Sequence, residues 1–509
     1  MNIDKKLNLR KQTIMGVNWM SLYTLSNVLV NLIATSILAR LLSASEFGMV
    51  TAVLVIVSFA DIFGSLGAGP SLVYMKNLSN KDIWTAISLT HIFSAIVYLT
   101  IFLGAPFLGN FFNIRDFTEV IRILGLIFLI KSFSVVPESI LQKHMKFKEL
   151  SIIRFLSLSF IYSIVAVSLA LNGAGYWSLV YAHITATLVY SVLLVSTFCL
   201  KYKFKYRLGF NAKSCSNILN YGFGMTLANV VSNFALQGDN LIVTRLLGEA
   251  AVGIYSKAYQ LITYPVNMIG KIFDQVFFPM LSSVRGQRNK VINVYYKITR
   301  SFSLFSIFVS VIITTCSLDI VNVYLGPNWE MAAGPIMIFG YSFFFRLSYK
   351  IGDLVSKSHG AVYNRALRTF FYAVLVIVGS IIGSKWGIQY VAIGVSIAIA
   401  INYFLMTSLS LKLINEKWSK FILNLLPIII LYVAVLVIAN IVHYYSSGFG
   451  SMFRIIIILF VVPTSMIILI MTIFRNYFSE EKNQILNVAK LVKRIIYSKF
   501  YNRNRDVNS

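Results

Sequence analysis

Acidic residues are scarce in this chain: 18 Asp and Glu stand against 45 Lys and Arg, and charged residues make up only 12% of 509 positions. Soluble domains carry about 25% charge, so a water-soluble globule is a poor reading. Cysteine is nearly absent too. Cys199, Cys215 and Cys316 have neither metal-ligand spacing nor the pattern of a disulfide framework. The sequence contains no G-x-x-x-x-G-K-[ST] loop, which argues against ATP hydrolysis by the chain itself. It contains no H-E-x-x-H and no G-x-S-x-G, the marks of common hydrolases. Long connections are missing as well. "GAPFLGNFFNIRDF" and "SLDIVNVYLGPNWE" run to about fourteen residues each, too short to hold a separate catalytic domain. The chain is therefore not expected to be an enzyme.

What is present is apolar sequence. Hydrophobic residues make up 57% of the chain and mean hydropathy is +0.75. Fourteen apolar runs lie between residues 14 and 474, each near the ~20 residues that span a bilayer as a helix. Lipid offers backbone groups no partners, so such runs must be helical. The fold class is an all-α polytopic membrane protein with fourteen transmembrane helices. The first run lacks a short apolar core followed by a small-residue cleavage site, and is expected to be a retained helix rather than a signal peptide.

The net charge of +27 is a topology signal rather than a nucleic-acid patch. With the N-terminus in the cytoplasm, the inner segments carry 33 Lys and Arg and the outer ones five, as the positive-inside rule requires over short loops. The chain is thus expected in the cell (inner) membrane with both termini in the cytoplasm.

One phrase occurs twice. "ILARLLSASEFGMV" (37–50) and "IVTRLLGEAAVGIY" (242–255) align at an offset of 205, Arg40 with Arg245 and Gly48 with Gly253. Both lie between the first and second helices of a six-helix set, so the halves form a parallel repeat about an axis along the membrane normal. The expected organisation is an N-terminal lobe (1–200), a basic inter-lobe loop (201–215), a C-terminal lobe (216–410), two added helices (411–474) and a basic tail (475–509). In the tail, Ile485, Val488, Leu491, Val492, Ile495 and Ile496 recur at helical spacing among Lys and Arg, the pattern of an amphipathic helix on an anionic leaflet. Repeat-built transporters bind cargo at the repeat interface and rock one lobe against the other.

Ionisable residues within spans cost about 2.5–3.5 kcal/mol even on the insertion scale, so each is a lead. Arg346, Lys350 and Asp353 stand at i, i+4 and i+7 on one face. Lys257, Tyr264 and Lys271 share a stripe at intervals of seven, with Asp274 a turn away. Asp61 and Asp239 are further intramembrane acids, and Arg122 and Lys131 are opposed on one span. Pro265 and the run Gly64, Gly67, Gly69, Pro70 interrupt their helices. His91 and His183 read as helix histidines bonded to neighbours rather than proton carriers. Arg40 and Arg245 are read either as interfacial anchors or as a positive rim. Cations outnumber acids within the spans, which favours an anionic cargo such as a phosphate or pyrophosphate.

The stretches "LARLLSASEFGMVTAVLVIVSFADIFGSLGAGPSLV" and "QGDNLIVTRLLGEAAVGIYSKAYQLITYPVN" resemble the signature regions of polysaccharide-exporting flippases. These belong to the multidrug/oligosaccharidyl-lipid/polysaccharide (MOP) exporter superfamily, and the likeness is to its Wzx-type branch, which includes the colanic acid exporter. The resemblance implies translocation of undecaprenyl-pyrophosphate-linked oligosaccharide units, for O-antigen, capsule or exopolysaccharide, by alternating access. It places Arg40, Arg245 and Lys257 in the matching stretches as candidates for cargo contact. Lys271, Arg346 and Lys350 join them from helical phase, with Asp61, Asp239 and Asp353 as candidate coupling carboxylates. No cofactor is expected; coupling to a proton or sodium gradient or to membrane potential stays open. The expected partners are the lipid-linked oligosaccharide, membrane lipids, and the polymerase and chain-length machinery. A MATE-like drug/cation antiporter and a membrane glycan polymerase or ligase are the alternatives.

Overall fold

The computed structural model describes residues 3–272, 277–284, 286–474 and 477–478, with the backbone alone for 3–14, 17, 271, 272 and 279. Asp274, the Lys271 side chain and the tail helix expected over 480–505 lie outside the described residues. The first half is built from α1 (Ile3–Leu41), α2 (Ala44–Ser65), α3 (Ala68–Tyr74), α4 (Asn80–Phe112), α5 (Phe117–Leu124), α6 (Leu126–Lys143), α7 (Phe147–Arg154), α8 (Tyr162–Leu171) and α9 (Trp177–Ser196). The second half contains α10 (Ala212–Leu247), α11 (Glu249–Ile272), α12 (Phe278–Ser283), α13 (Arg288–Thr315), α14 (Ser317–Tyr324), α15 (Ala333–Ser358), α16 (Val362–Ser384) and α17 (Ile388–Ile414). The added pair is α18 (Trp418–Tyr445) and α19 (Ser451–Thr472).

Among the described residues, twelve helices are long and apolar enough to cross a membrane, and the chain is a multi-pass membrane protein. The other two expected spans, α10 and α11, are 36 and 24 residues long but interrupted by Asn, Gln and Ser. Helices that line a polar interior need not be apolar all round, and their place in the fold, below, explains their composition. The sequence places a break at Pro265, yet α11 runs through it without interruption. The loop expected at "SLDIVNVYLGPNWE" is instead the short helix α14 followed by a 3₁₀ turn, Pro327–Ala332.

The repeated motif folds the same way twice. In each copy a long helix ends, the chain turns, and a second helix starts. Ser43 and Glu46 form a capping box that opens α2, satisfying orphan amide donors of the first turn. In the other copy Gly248, at φ +84°, makes the turn between α10 and α11. The two repeat glycines then meet across the lobe interface. A methyl on Gly48 would overlap the Glu249 carbonyl, and one on Gly253 would overlap the Ala44 carbonyl. The duplication thus supplies a backbone-to-backbone crossing of α2 and α11 on the side called here the motif end.

At the opposite, basic end the expected loosening of α2 is present. Leu66 and Gly67 adopt the left-handed conformation between α2 and α3, and Gly67 packs on Gly222 of α10 so closely that neither tolerates a Cβ. Tyr74 and Tyr221 stack beside it, 4.7 Å between centroids. The pair α18–α19 packs on α13 and α14, where Asp319 takes His443 Nε2 at 2.7 Å and Arg454 Nη2 at 2.6 Å.

Candidate functional site

Between the halves lies a cavity of about 670 Å³. Its first-half wall comes from α1 (Asn31, Thr35), α2 (Phe47, Thr51) and α9 (His183, Thr187), with Tyr162 of α8. Its second-half wall comes from α10 (Gln237, Asn240), α11 (Ser256, Lys257, Gln260, Thr263, Asn267) and α15 (Arg346). The polar lining is amide and hydroxyl, set among aliphatic and aromatic side chains, with two cations and, among the described residues, no carboxylate. Here α10 and α11 spend their polar residues.

The motif end of the cavity is closed. Arg40 ends α1 and reaches into the other half, donating from Nη2 to the Val323 carbonyl at 2.8 Å and from Nη1 to the Tyr324 carbonyl at 3.4 Å. These are last-turn carbonyls of α14, without helical partners and at the negative end of its dipole. Trp329, only 1% exposed, donates its indole N–H to the Ala39 carbonyl at 2.8 Å and meets Phe47 edge-on at 5.4 Å. Arg245, the repeat partner of Arg40, also crosses between halves and stacks over Phe111 at 4.9 Å. Neither arginine lines the cavity. Both hold its closed end.

Lys257 and Arg346 do line it. Lys257 Nζ sits 4.2 Å from the centre of the Phe47 ring and makes no ion pair among the described residues. Arg346 is 7% exposed, with Cζ 4.4 Å from the Tyr259 ring centre; its Nε and Nη1 have no hydrogen-bond partner among the described residues. A guanidinium offers five fixed donors, and buried charges are ordinarily paired. A lining guanidinium with two donors unspent, and no acid in the described wall, makes an arrangement suited to an anion.

The other candidates are placed elsewhere. The face predicted for Arg346, Lys350 and Asp353 turns away from the cavity after its first member: Lys350 lies against Gly270 of α11. Asp353 is held by Lys357 at 2.9 Å and by Arg365. Asp61 pairs with Lys131 at 2.5 Å, and Arg122 stacks on Phe102, so neither opposed cation faces the cavity. Tyr264 is spent on Gln260. His91 is bonded to Ser132 and Tyr206, while His183 lines the cavity against Tyr162, 4.7 Å between centroids. Asp239 is 1% exposed, accepts from Tyr255 Oη and the Asn240 amide, both at 2.8 Å, and among the described residues has no cation within ion-pair distance. Cys316, Asp319 and His443 do come together, but Arg454 and His443 already engage the Asp319 carboxylate, which disfavours a metal centre.

The neutral lining residues were not singled out from sequence. A signal was available: Ser256, Gln260, Thr263 and Asn267 follow helical spacing on the cavity face of α11.

Comparison with known proteins bears on this geometry. Residues 37–334 match the family described as "Polysaccharide biosynthesis protein". The lipopolysaccharide biosynthesis protein WzxC of Escherichia coli (strain K12) is 22% identical over 426 residues, 82% of this chain and 85% of that protein. The teichuronic acid biosynthesis protein TuaB of Bacillus subtilis (strain 168) is 22% identical over 336 residues, 65% of this chain and 68% of that one. Among solved structures, the lipid II flippase MurJ in an inward closed conformation superposes with a TM-score of 0.73 at 16% identity, covering 90% of this chain and 98% of that one.

Proposed function

The chain belongs to the polysaccharide biosynthesis protein family, and on that footing we propose that it is a flippase for a polyprenyl-pyrophosphate-linked oligosaccharide. The observation that carries the reading is the pair Lys257 and Arg346 in a polar cavity with no acid in its described wall. A pyrophosphate supplies several acceptors for these donors, and charge-assisted bonds of this kind are about twice as strong as neutral ones. The amide and hydroxyl groups around them suit sugar hydroxyls.

The basic end is placed in the cytoplasm of the cell membrane, with both termini there and α10 and α11 completing fourteen spans. Cargo enters from that side. The lobes then part at the Gly48–Gly253 crossing and release it at the motif end, while the polyprenyl tail stays in lipid. A proton or sodium gradient or the membrane potential biases the cycle. Polymerase and chain-length proteins act on the exported unit.

The test is export of surface polysaccharide by Lys257→Ala and Arg346→Ala variants. Export is lost while the protein stays in the membrane; unchanged export refutes the assignment. A drug/cation antiporter would place an acid among the cations of this wall, and drug susceptibility of a deletion strain separates that case. A polymerase or ligase would leave single repeat units on the outer leaflet in such a strain. A flippase leaves them on the inner one.

A further inference from the structure

Resting on that reading, we propose that Asp239 is the internal counter-ion that strips the cargo's phosphate from Arg346: the guanidinium serves the cargo in one conformation and the carboxylate in the other. Asp239 is a positioning residue, acting through Arg346 and not by touching cargo.

The argument begins from unmet bonding capacity. An ionised carboxylate offers about four lone-pair sites; Asp239 uses two, on the Tyr255 hydroxyl and the Asn240 amide. Arg346, almost as deeply buried, leaves two guanidinium nitrogens without partners. Isolated buried charges are costly, and each is normally satisfied by an opposite charge. The natural partners for these two groups are each other, yet no ion pair forms between them here.

The obstacle is aromatic. Tyr255 and Tyr259 stack at 6.0 Å, and both pack edge-on against Phe339 of α15, at 5.6 and 5.3 Å. Asp239 is bonded to the first ring and Arg346 lies over the second. The tyrosines belong to α11, the aspartate to α10 and the arginine to α15, so the three-ring wedge joins three helices of one lobe. Arg346 is held on the cavity side of it, presented to an anion.

A small rearrangement among α10, α11 and α15 would let the guanidinium pass the wedge. Arg346 then pairs with Asp239, the cavity loses its bidentate donor, and the phosphate is left with Lys257 alone. Affinity falls in the conformation that has to release cargo. Differential affinity of this kind is what lets a ligand and a conformational change drive one another.

The test uses the full-length protein in detergent with farnesyl pyrophosphate as probe, alongside polysaccharide export in cells. Arg346→Ala weakens binding about tenfold or more. Asp239→Asn removes the competitor, so binding tightens, about fivefold, while export falls because cargo is retained. Tyr255→Phe has the opposite sign: without its hydroxyl donor the carboxylate draws harder on Arg346, and binding weakens about threefold. The double variant Asp239→Asn/Arg346→Ala binds like Arg346→Ala alone. Thermal unfolding checks that each variant is folded, and Tyr255→Phe carries the test if Asp239→Asn is not. Equal weakening by Asp239→Asn and Tyr255→Phe in folded protein would mark a structural role and overturn the exchange. If instead wild-type protein fails to bind the probe, the pyrophosphate reading itself falls, and this inference with it.

Discussion

The two walls of the cavity face the same cargo space but are charged differently. The first-half wall is neutral: its polar groups are amides, hydroxyls and one imidazole, and the charges of that half sit outside the cavity, many in pairs such as Asp61–Lys131, Glu138–Arg154 and Glu149–Lys201. The second-half wall carries both cations and, among the described residues, leaves them without acid partners. A bidentate, desolvated guanidinium grips phosphate, whereas neutral groups discriminate among hydroxyls without strong affinity. On the proposed flippase function, the difference would have one lobe hold the constant headgroup while the other adapts to the variable sugar.

The comparison breaks most directly at its strong side. Losing a hydrogen bond to a charged group costs about 1.5–3 kcal/mol, so Arg346→Ala should lower export about tenfold to a hundredfold, measured as surface polysaccharide per membrane-inserted protein, with Lys257→Ala close behind. A substitution at the symmetric crossing comes next. Gly48→Leu forces side-chain atoms into the Glu249 backbone, and overpacking costs about 1–3 kcal/mol. The motif end should then stay open, read as faster labelling of a cysteine at Thr35 by a membrane-impermeant maleimide.

The neutral wall should respond less. Asn31→Ala and Thr35→Ala each remove a neutral hydrogen bond, about 0.5–1.5 kcal/mol, and should cut export a few-fold, to a different extent with different glycans. A loss as large as that of Arg346→Ala would erase the distinction between the walls. Arg245→Ala should be mildest. Its contact with Phe111 is an exposed cation–π pair worth about 0.5–1 kcal/mol, so a small fall in thermal stability with export near wild type is expected. Arg40→Ala, which also frees two α14 carbonyls, should cost more than Arg245→Ala.

Membrane class and the duplicated motif were legible because each rests on local pattern. Apolar runs report lipid exposure directly, and the motif is a string. Lys257 and Arg346 were legible as intramembrane cations. The same argument also nominated Lys350, Asp61 and Asp353, and the repeated motif nominated Arg40 and Arg245; the sequence reveals the partners of none of them. The Arg40 guanidinium is committed to a carbonyl 283 positions away, and Asp61 to a lysine 70 positions away. The polar stripe of α11 was visible in principle, yet Ser, Thr, Gln and Asn are cheap enough in a bundle interior to pass unnoticed beside a lysine.

Composition, run length and the spacing of basic loops were enough to establish a polytopic helical chain with an internal repeat, since bilayer thickness and backbone solvation act on each segment separately. Which buried charges are spent and which are on offer was decided only when the helices packed. Pairing is a property of residues brought together from distant parts of the chain, and an arginine is a latch against α14 carbonyls or an open set of donors in a cavity wall according to what lies beside it.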